Sequence, residues 1–333
     1  MRVVIVGGGF CGLRCAKHLA SHAQVSLFTD SPFFTYTPSV PKLLHTPSFA
    51  ARITRSWNRH YPFEVINERV RKVTRKEVMA ADIKRSYDYL IVCTGASYPV
   101  PLKDQSNVFT VTKVHETARA AAEIKRAKSI LVIGGGLIGV EVAAELANMP
   151  EKEIVVVHPY PRLLERSSIK ASEYARRWLE KRGVRLVLED KVVKKVKSVY
   201  VTGKGARLHA DVVLWCAGIA ADASYYAGAK DDRGYIKVNE FLQAELASNV
   251  FVGGDIVSIK EEKTAQNALR HSEVIVKNVL RMSKGQSLCS YQSKRNMMVI
   301  SLGSFSGIVT APLFTLTGFL PSIIKKAVEL WER

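Results

Sequence analysis

Two glycine turns of the same form, each delivered by a short apolar strand and each running on into a helix, constrain this chain more than any other feature. The strand at 2–6 enters Gly7-Gly8-Gly9-Phe10-Cys11-Gly12, and the strand at 129–133 enters Gly134-Gly135-Gly136-Leu137-Ile138-Gly139. Helical continuations follow at 13–20 and 140–147. A strand, a G-x-G-x-x-G turn and a helix form the context in which such a pattern binds a dinucleotide. The glycines let the backbone turn sharply and approach a pyrophosphate closely, while the helix N-terminus offers that anion unpaired N–H groups and a partial positive charge. Gly7, Gly9 and Gly12, with Phe10 and Cys11, form a first candidate cradle. Gly134, Gly136 and Gly139, with Leu137 and Ile138, form a second. Two cradles on one polypeptide predict two bound dinucleotides, an arrangement suited to passing electrons between them.

The remaining sequence repeats one layout. In the first half a strand at 24–29 completes a βαβ unit, and its end is where a carboxylate normally holds adenosine ribose hydroxyls. Asp30 is the candidate there, with the Thr29 hydroxyl as its alternative. An aromatic, proline-bound loop follows, Phe33-Phe34-Thr35-Tyr36-Thr37-Pro38-Ser39-Val40-Pro41. Proline fixes the backbone there, which suits the wall of a planar ring site as well as a packed surface loop. Strands at 63–66 and 87–92 lead to Cys93-Thr94-Gly95, where a glycine marks close backbone approach. The second half returns through 153–157, a helix at 172–182 and strands at 184–188 and 212–215, the last ending in Cys216-Ala217-Gly218. A third signal follows, Gly253-Gly254-Asp255 after an apolar strand at 249–252. The glycines permit approach and the carboxylate accepts sugar or ribitol hydroxyls. A helix is expected at 264–282, with an N-terminus able to point at a ring carbonyl.

The 333 residues suffice for two or three domains, and the formal net charge of +19 predicts attraction to anionic surfaces. Much of that charge crowds the stretch from Arg176 to Lys197, a pattern that solvated faces also produce. The five cysteines show neither C-x-x-C nor metal-ligand spacing, so no metal is expected. Cys11 and Cys15 read as small packing residues on the first fingerprint helix, and a reduced, intracellular compartment fits. With the first strand starting at residue 2, no signal or transit segment is expected. No stretch of about 20 apolar residues predicts a spanning helix.

Taken together, GGGFCGL, FFTYTPSVP, YLIVCTGA, GGGLIGVEVAAEL, VVLWCAG, NVFVGGDI with KTAQNA, and ISLGSFSGIV resemble the two-dinucleotide-binding flavoproteins of the pyridine nucleotide oxidoreductase superfamily. Within it the chain is similar to the group of type II NADH dehydrogenases and ferroptosis-suppressor-like NAD(P)H:quinone oxidoreductases. The resemblance implies an α/β fold with two Rossmann-like three-layer domains. The FAD domain is discontinuous (1–101 and 238–290), the NAD(P)H domain is inserted at 102–237, and a small segment at 291–333 ends in an amphipathic helix. It places FAD on the first cradle, near Thr29 or Asp30, with Thr37 and Pro38 lining the flavin and Asp255 on the ribitol. Thr94, Gly95, Gly254, Lys263 and Thr264 complete that set, and Ala265 and Gln266 present backbone to the pyrimidine end. NADH or NADPH falls on the second cradle with Ala217 and Gly218, and Glu141 near the nicotinamide is the one catalytic candidate. His158 replaces the acid of an NAD-preferring enzyme, and Arg162 and Arg166 close by leave NADPH open. The paired glutamines that many type II dehydrogenases place at the quinone site fall on Arg270 and His271, read as plain helix-surface residues.

The implied activity is hydride transfer from NAD(P)H to flavin N5, then two electrons to a quinone. The cysteine pair of a disulfide reductase is absent, Ser39 lies near the place of the single-cysteine peroxidases' thiol, and Cys93 and Cys216 read as lying within strands. In the tail, Leu320, Ile323, Ile324, Ala327, Val328 and Trp331 share one helical face, with Lys325, Lys326, Glu329 and Glu332 on the other. That face either docks on the protein or lies in an anionic membrane interface. The expected placement is peripheral, on the cytoplasmic side of a membrane, or cytoplasmic. A specific nucleic acid is not expected, and homodimer formation is left open. Two other classes remain: a soluble ferredoxin- or rubredoxin-type reductase, and an apoptosis-inducing-factor-like basic flavoprotein that binds nucleic acid or a partner.

Overall fold

The computed structural model describes residues 1–294 and 297–331, the last four of these by their backbone alone. They form two compact units. The first comprises Met1–Thr35, Thr54–Ser97 and Ile219–Lys294. The second comprises Tyr36–Ile53, Tyr98–Gly218 and residues 297–331.

The first unit is built on a five-stranded sheet in the order Val250–Val252, Tyr89–Val92, Arg2–Val6, Gln24–Phe28, Glu64–Ile66. Every neighbouring pair is parallel, with Val4 in register with Ser26 on one side and Leu90 on the other. Parallel strands covered on both faces read as unbroken apolar runs, which is why Val3–Val6 and Leu90–Val92 carry no alternation. Helices Phe10–Leu19 and Ala265–Met282 pack together within this unit. Phe28, Val78, Tyr226 and Ile236 belong to one continuous core.

The second unit repeats the plan with strands Val108–Thr110, Val212–Trp215, Ser129–Ile133, Glu153–His158 and Arg185–Leu188, again all parallel. Each unit also carries a three-stranded antiparallel sheet, formed by residues 72–86 in the first and 192–209 in the second. Helix Ile169–Glu180 starts at Ser168, whose hydroxyl accepts from the Ala171 N–H. The C-terminal residues add a meander, Met298–Ser301, Gly307–Thr310 and Thr315–Gly318, then helix Phe319–Trp331.

Four differences from the sequence reading have physical causes. The chain rejoins the first unit at Ile219, ahead of residue 238, because Ala223, Tyr226 and Ile236 bury their side chains in that unit's core. The aromatic loop is partly ordered: Phe33–Thr35 pairs antiparallel with Thr54–Ser56, and Thr37–Leu44 winds into a 3₁₀-helix behind Pro38. The C-terminal segment does not stand apart but groups with the second unit from residue 297. Within its helix the exposed side is apolar, with Leu320 and Ile323 facing out, while Pro321 and Ser322 are buried and Lys325 turns inward. The side chains of Val328, Glu329, Trp331 and Glu332 lie outside the described residues.

Candidate functional site

The two glycine turns have one geometry. Gly7 and Gly134 both sit at φ +110°, and their N–H groups donate to Phe28 O and Val157 O, each at 2.8 Å. A side chain cannot occupy either position: a Cβ would fall 2.3 Å from Cys93 O in the first turn and 2.7 Å from Cys216 O in the second. Gly12 and Gly139 meet the first glycine of their own turn, where a Cβ would lie 1.9 and 1.8 Å from its carbonyl oxygen. The middle members differ. Around Gly9 and Gly136 nothing lies within 4 Å of a would-be Cβ, and neither helix start has a side-chain cap. Each turn therefore leaves open space in front of the orphan N–H groups of a ten-residue helix. A pyrophosphate fits that cradle in both units.

The residue at the end of the second strand packs under the middle of each turn. In the first unit it is Thr29, buried, its Oγ1 2.8 Å from where a Gly8 Cβ would stand and accepting from the Ser31 N–H at 3.3 Å. Asp30 beside it is exposed. In the second unit it is His158, equally buried, whose Nδ1 accepts from the Gly135 N–H at 2.9 Å. Its Nε2 faces Glu165 Oε2 at 3.2 Å. That contact, more than burial opposes it, holds the Glu165 carboxyl below its ordinary range. The Arg162 guanidinium donates to the carbonyls of Leu164, Glu165 and Ser167 and so clamps this loop. Arg166 also pairs with Glu165.

The Gly-Gly-Asp turn of the first unit is held by a residue that the sequence reading misplaced. His271 is 1% exposed, not a surface residue. Its Nδ1 accepts from the Gly254 N–H at 3.0 Å, and its Nε2 lies 2.9 Å from Glu261 Oε1. Tyr291 and Ser293 donate their hydroxyls to Glu261 Oε2 at 2.7 and 2.8 Å. Burial works to raise the Glu261 carboxyl, yet these donors together hold it low. A signal for His271 existed: Asn267, Ala268, His271, Ser272, Ile275, Asn278 and Val279 form the buried stripe of the helix at three- and four-residue spacing. Asp255 follows Gly254 directly, and burial raises its carboxyl against the nearby Lys263 and His271. Burial also lowers Lys263, whose amine donates to Val257 O. Thr264 caps the helix by accepting from the Asn267 N–H, leaving Ala265 and Gln266 in its first turn. Thr94 shares a 2.6 Å hydrogen bond with Tyr225, next to Gly95 in the turn after strand Tyr89–Val92.

In the second unit Thr37 is exposed and Pro38 half-buried at the head of the 3₁₀-helix, with Ser39 fully buried behind them. Ala217 O accepts from the Trp215 indole, next to Gly218. Glu141 projects from the fingerprint helix onto the C-terminal segment, accepting from the Ser301 N–H at 2.9 Å and from Lys325 Nζ at 3.1 Å. The thiols of Cys93 and Cys216 sit one residue past their strands, not within them. Cys93 Sγ lies 3.2 Å from Cys11 Sγ, and burial holds the Cys11 and Cys216 thiols protonated, the latter raised to about 12. Neither the Cys11 nor the Cys216 thiol is poised as a nucleophile.

Two Rossmann-type units with matching pyrophosphate cradles define a two-dinucleotide oxidoreductase. The chain belongs to the pyridine nucleotide-disulphide oxidoreductase family, whose model matches residues 1–272. It is accordingly an oxidoreductase that uses FAD and NAD(P)H. Ferroptosis suppressor protein 1 of Taeniopygia guttata is 29% identical over 92% of this chain and 88% of its own. Apoptosis-inducing factor homolog B of Dictyostelium discoideum is 26% identical over 97% and 93%. Among solved structures, NDH2 from Plasmodium falciparum in complex with NADH superposes with a TM-score of 0.87 at 15% identity, covering 98% of this chain and 93% of that one.

Proposed function

We propose that this chain is an FAD-dependent NAD(P)H:quinone oxidoreductase. The observation that carries the reading is the pair of open glycine cradles on one chain, combined with Cys11, Cys15 and Cys216 thiols that burial holds protonated. With no reactive cysteine pair to reduce, the electrons go to a diffusible acceptor. Ferroptosis suppressor protein 1 and NDH2 among the similar proteins favour a quinone.

FAD, when bound, supplies the two-electron chemistry, accepting reducing equivalents from the coenzyme and passing them to the acceptor. Gly7, Gly9 and Gly12 would hold its pyrophosphate with Phe10 and Cys11, Thr29 its ribose, and Asp255 its ribitol. Lys263 and the backbone at Thr264, Ala265 and Gln266 would meet the ring, their N–H groups opposing negative charge there. Gly134, Gly136 and Gly139, with Leu137 and Ile138, would hold the coenzyme pyrophosphate. Arg162 is engaged by the loop carbonyls while Arg166 stays exposed beside Glu165, so the coenzyme is taken as NADH or NADPH. Attachment to a membrane is supported by the apolar outer side of the tail. Leu313 is 97% and Phe305 73% exposed, with Phe319, Leu320 and Ile323 exposed beside basic Lys326. No helix among the described residues is long and apolar enough to cross a membrane.

Steady-state assays of flavin-loaded protein with NADH and NADPH against short-chain quinones, oxygen and ferredoxin test the reading. Turnover with quinone should exceed turnover with oxygen. Equal rates, or a yellow protein that neither coenzyme bleaches without air, would refute it.

A further inference from the structure

We infer that His271 and His158 are the positioning residues of the two cofactor cradles, and that each holds its glycine turn in shape through the acceptor it offers at Nδ1. The inference rests on the assignment of FAD to the first cradle and the nicotinamide coenzyme to the second.

A backbone amide can only donate, so the Gly254 and Gly135 bonds require a lone pair on Nδ1 of each ring. The hydrogen of the neutral imidazole then sits on Nε2, which faces Glu261 in one unit and Glu165 in the other. A tyrosine edge covers each ring as well, Tyr291 at 4.5 Å and Tyr160 at 5.4 Å between centroids. The two histidines reach this arrangement from different places, one at a strand end and one on a helix, so the repeat of the fold does not explain it. What they share is the group they hold, a glycine N–H in a cofactor turn.

A side chain with no acceptor at that point leaves the glycine N–H unpaired, and the turn loses its tether. The carboxylates behind the rings fix their orientation, Glu261 behind His271 and Glu165 behind His158.

The test measures FAD affinity of the apo-protein by flavin fluorescence, and NADH affinity of the flavin-loaded protein by calorimetry. His271→Leu removes the acceptor and should weaken FAD by at least about fivefold, the loss of one buried hydrogen bond, while leaving NADH affinity unchanged. His158→Leu should do the reverse. His271→Asn and His158→Asn offer an oxygen acceptor near the Nδ1 position and should restore most of the lost affinity. Leucine variants that bind both ligands as wild type does, or asparagine variants that bind no better than the leucine ones, overturn the inference. Should a leucine variant lose both ligands through misfolding, the asparagine variant decides: it must keep both affinities, and selective loss of its own ligand overturns the proposal. Absence of FAD binding by the wild type would instead defeat the cofactor assignment itself.

Discussion

The Lys325 ammonium lies 3.1 Å from Glu141 Oε1, with only 12% and 13% of the two side chains exposed. The same ammonium donates to Val299 O, and the same carboxylate oxygen accepts the Ser301 N–H. Helix 319–331 is thereby pinned to the second fingerprint helix through a charge pair, with its apolar side left outward. Removing one member strands the other charge away from water, which costs about 3 kcal/mol. Glu141→Gln or Lys325→Met alone should lower the melting temperature clearly, and the double variant should recover most of the loss. If each single variant melts with wild type, the pair does not hold the tail. A raised KM for NADH in Glu141→Gln but not in Lys325→Met would locate Glu141 at the nicotinamide as well.

Asp255 gives the opposite sign. Burial lifts its carboxyl above the ordinary range, so in the apo-protein its ionised form is less stable folded than unfolded. The stability it contributes is present below the unfolded-state value of about 3.9 and is lost as pH rises through the folded value. At neutral pH, Asp255→Asn should therefore raise the melting temperature of the apo-protein while FAD affinity falls and the preparation pales. Asp255→Ala should also purify largely colourless. Full flavin occupancy in either variant would show that the carboxylate does not hold FAD.

The third glycines offer a paired test. With a Cβ at Gly12 or Gly139 placed under 2 Å from a backbone oxygen, the turn must open. Overpacking of this kind costs about 1–3 kcal/mol. Gly12→Ala should lose FAD at purification, whereas Gly139→Ala should keep its flavin and lose NADH affinity by about tenfold or more. Reversed effects, measured by flavin content and coenzyme titration, would mean that the cradles have been assigned to the wrong cofactors.

These cradles were legible because sterics leave glycine no substitute at Gly7, Gly12, Gly134 and Gly139. The parallel strands were legible for a related reason, since a strand buried on both faces is apolar throughout. What escaped depends on partners distant in sequence. Lys325 reads as a solvent-side residue until Glu141 is known to face it. His271 sits at the position of a quinone-site glutamine in the resemblance, yet Gly254 and Glu261 claim both its nitrogens. Arg162 reads as a free cation until its loop closes around it. In each case a polar side chain has several satisfactory partners, and only packing selects one.

The tail carries the remaining prediction. Phe319, Leu320 and Ile323 are exposed on one side of the last helix, and Leu313 and Phe314 are exposed at the preceding turn. Inserting three such side chains into lipid contributes about 1.5–3 kcal/mol each, and the chain's charge of +19 adds attraction to anionic headgroups. The protein should pellet with vesicles containing phosphatidylserine and much less with neutral ones, and added salt should release part of it. The triple variant Phe319→Ser, Leu320→Ser, Ile323→Ser should lose vesicle binding by about a hundredfold or more while keeping its flavin and its turnover with a water-soluble quinone. A wild-type protein that stays in the supernatant with anionic vesicles, or a variant that pellets equally well, would leave the exposed side of the helix to a protein partner. In that event reduction of an acidic electron carrier, steep in its dependence on salt, becomes the activity to measure.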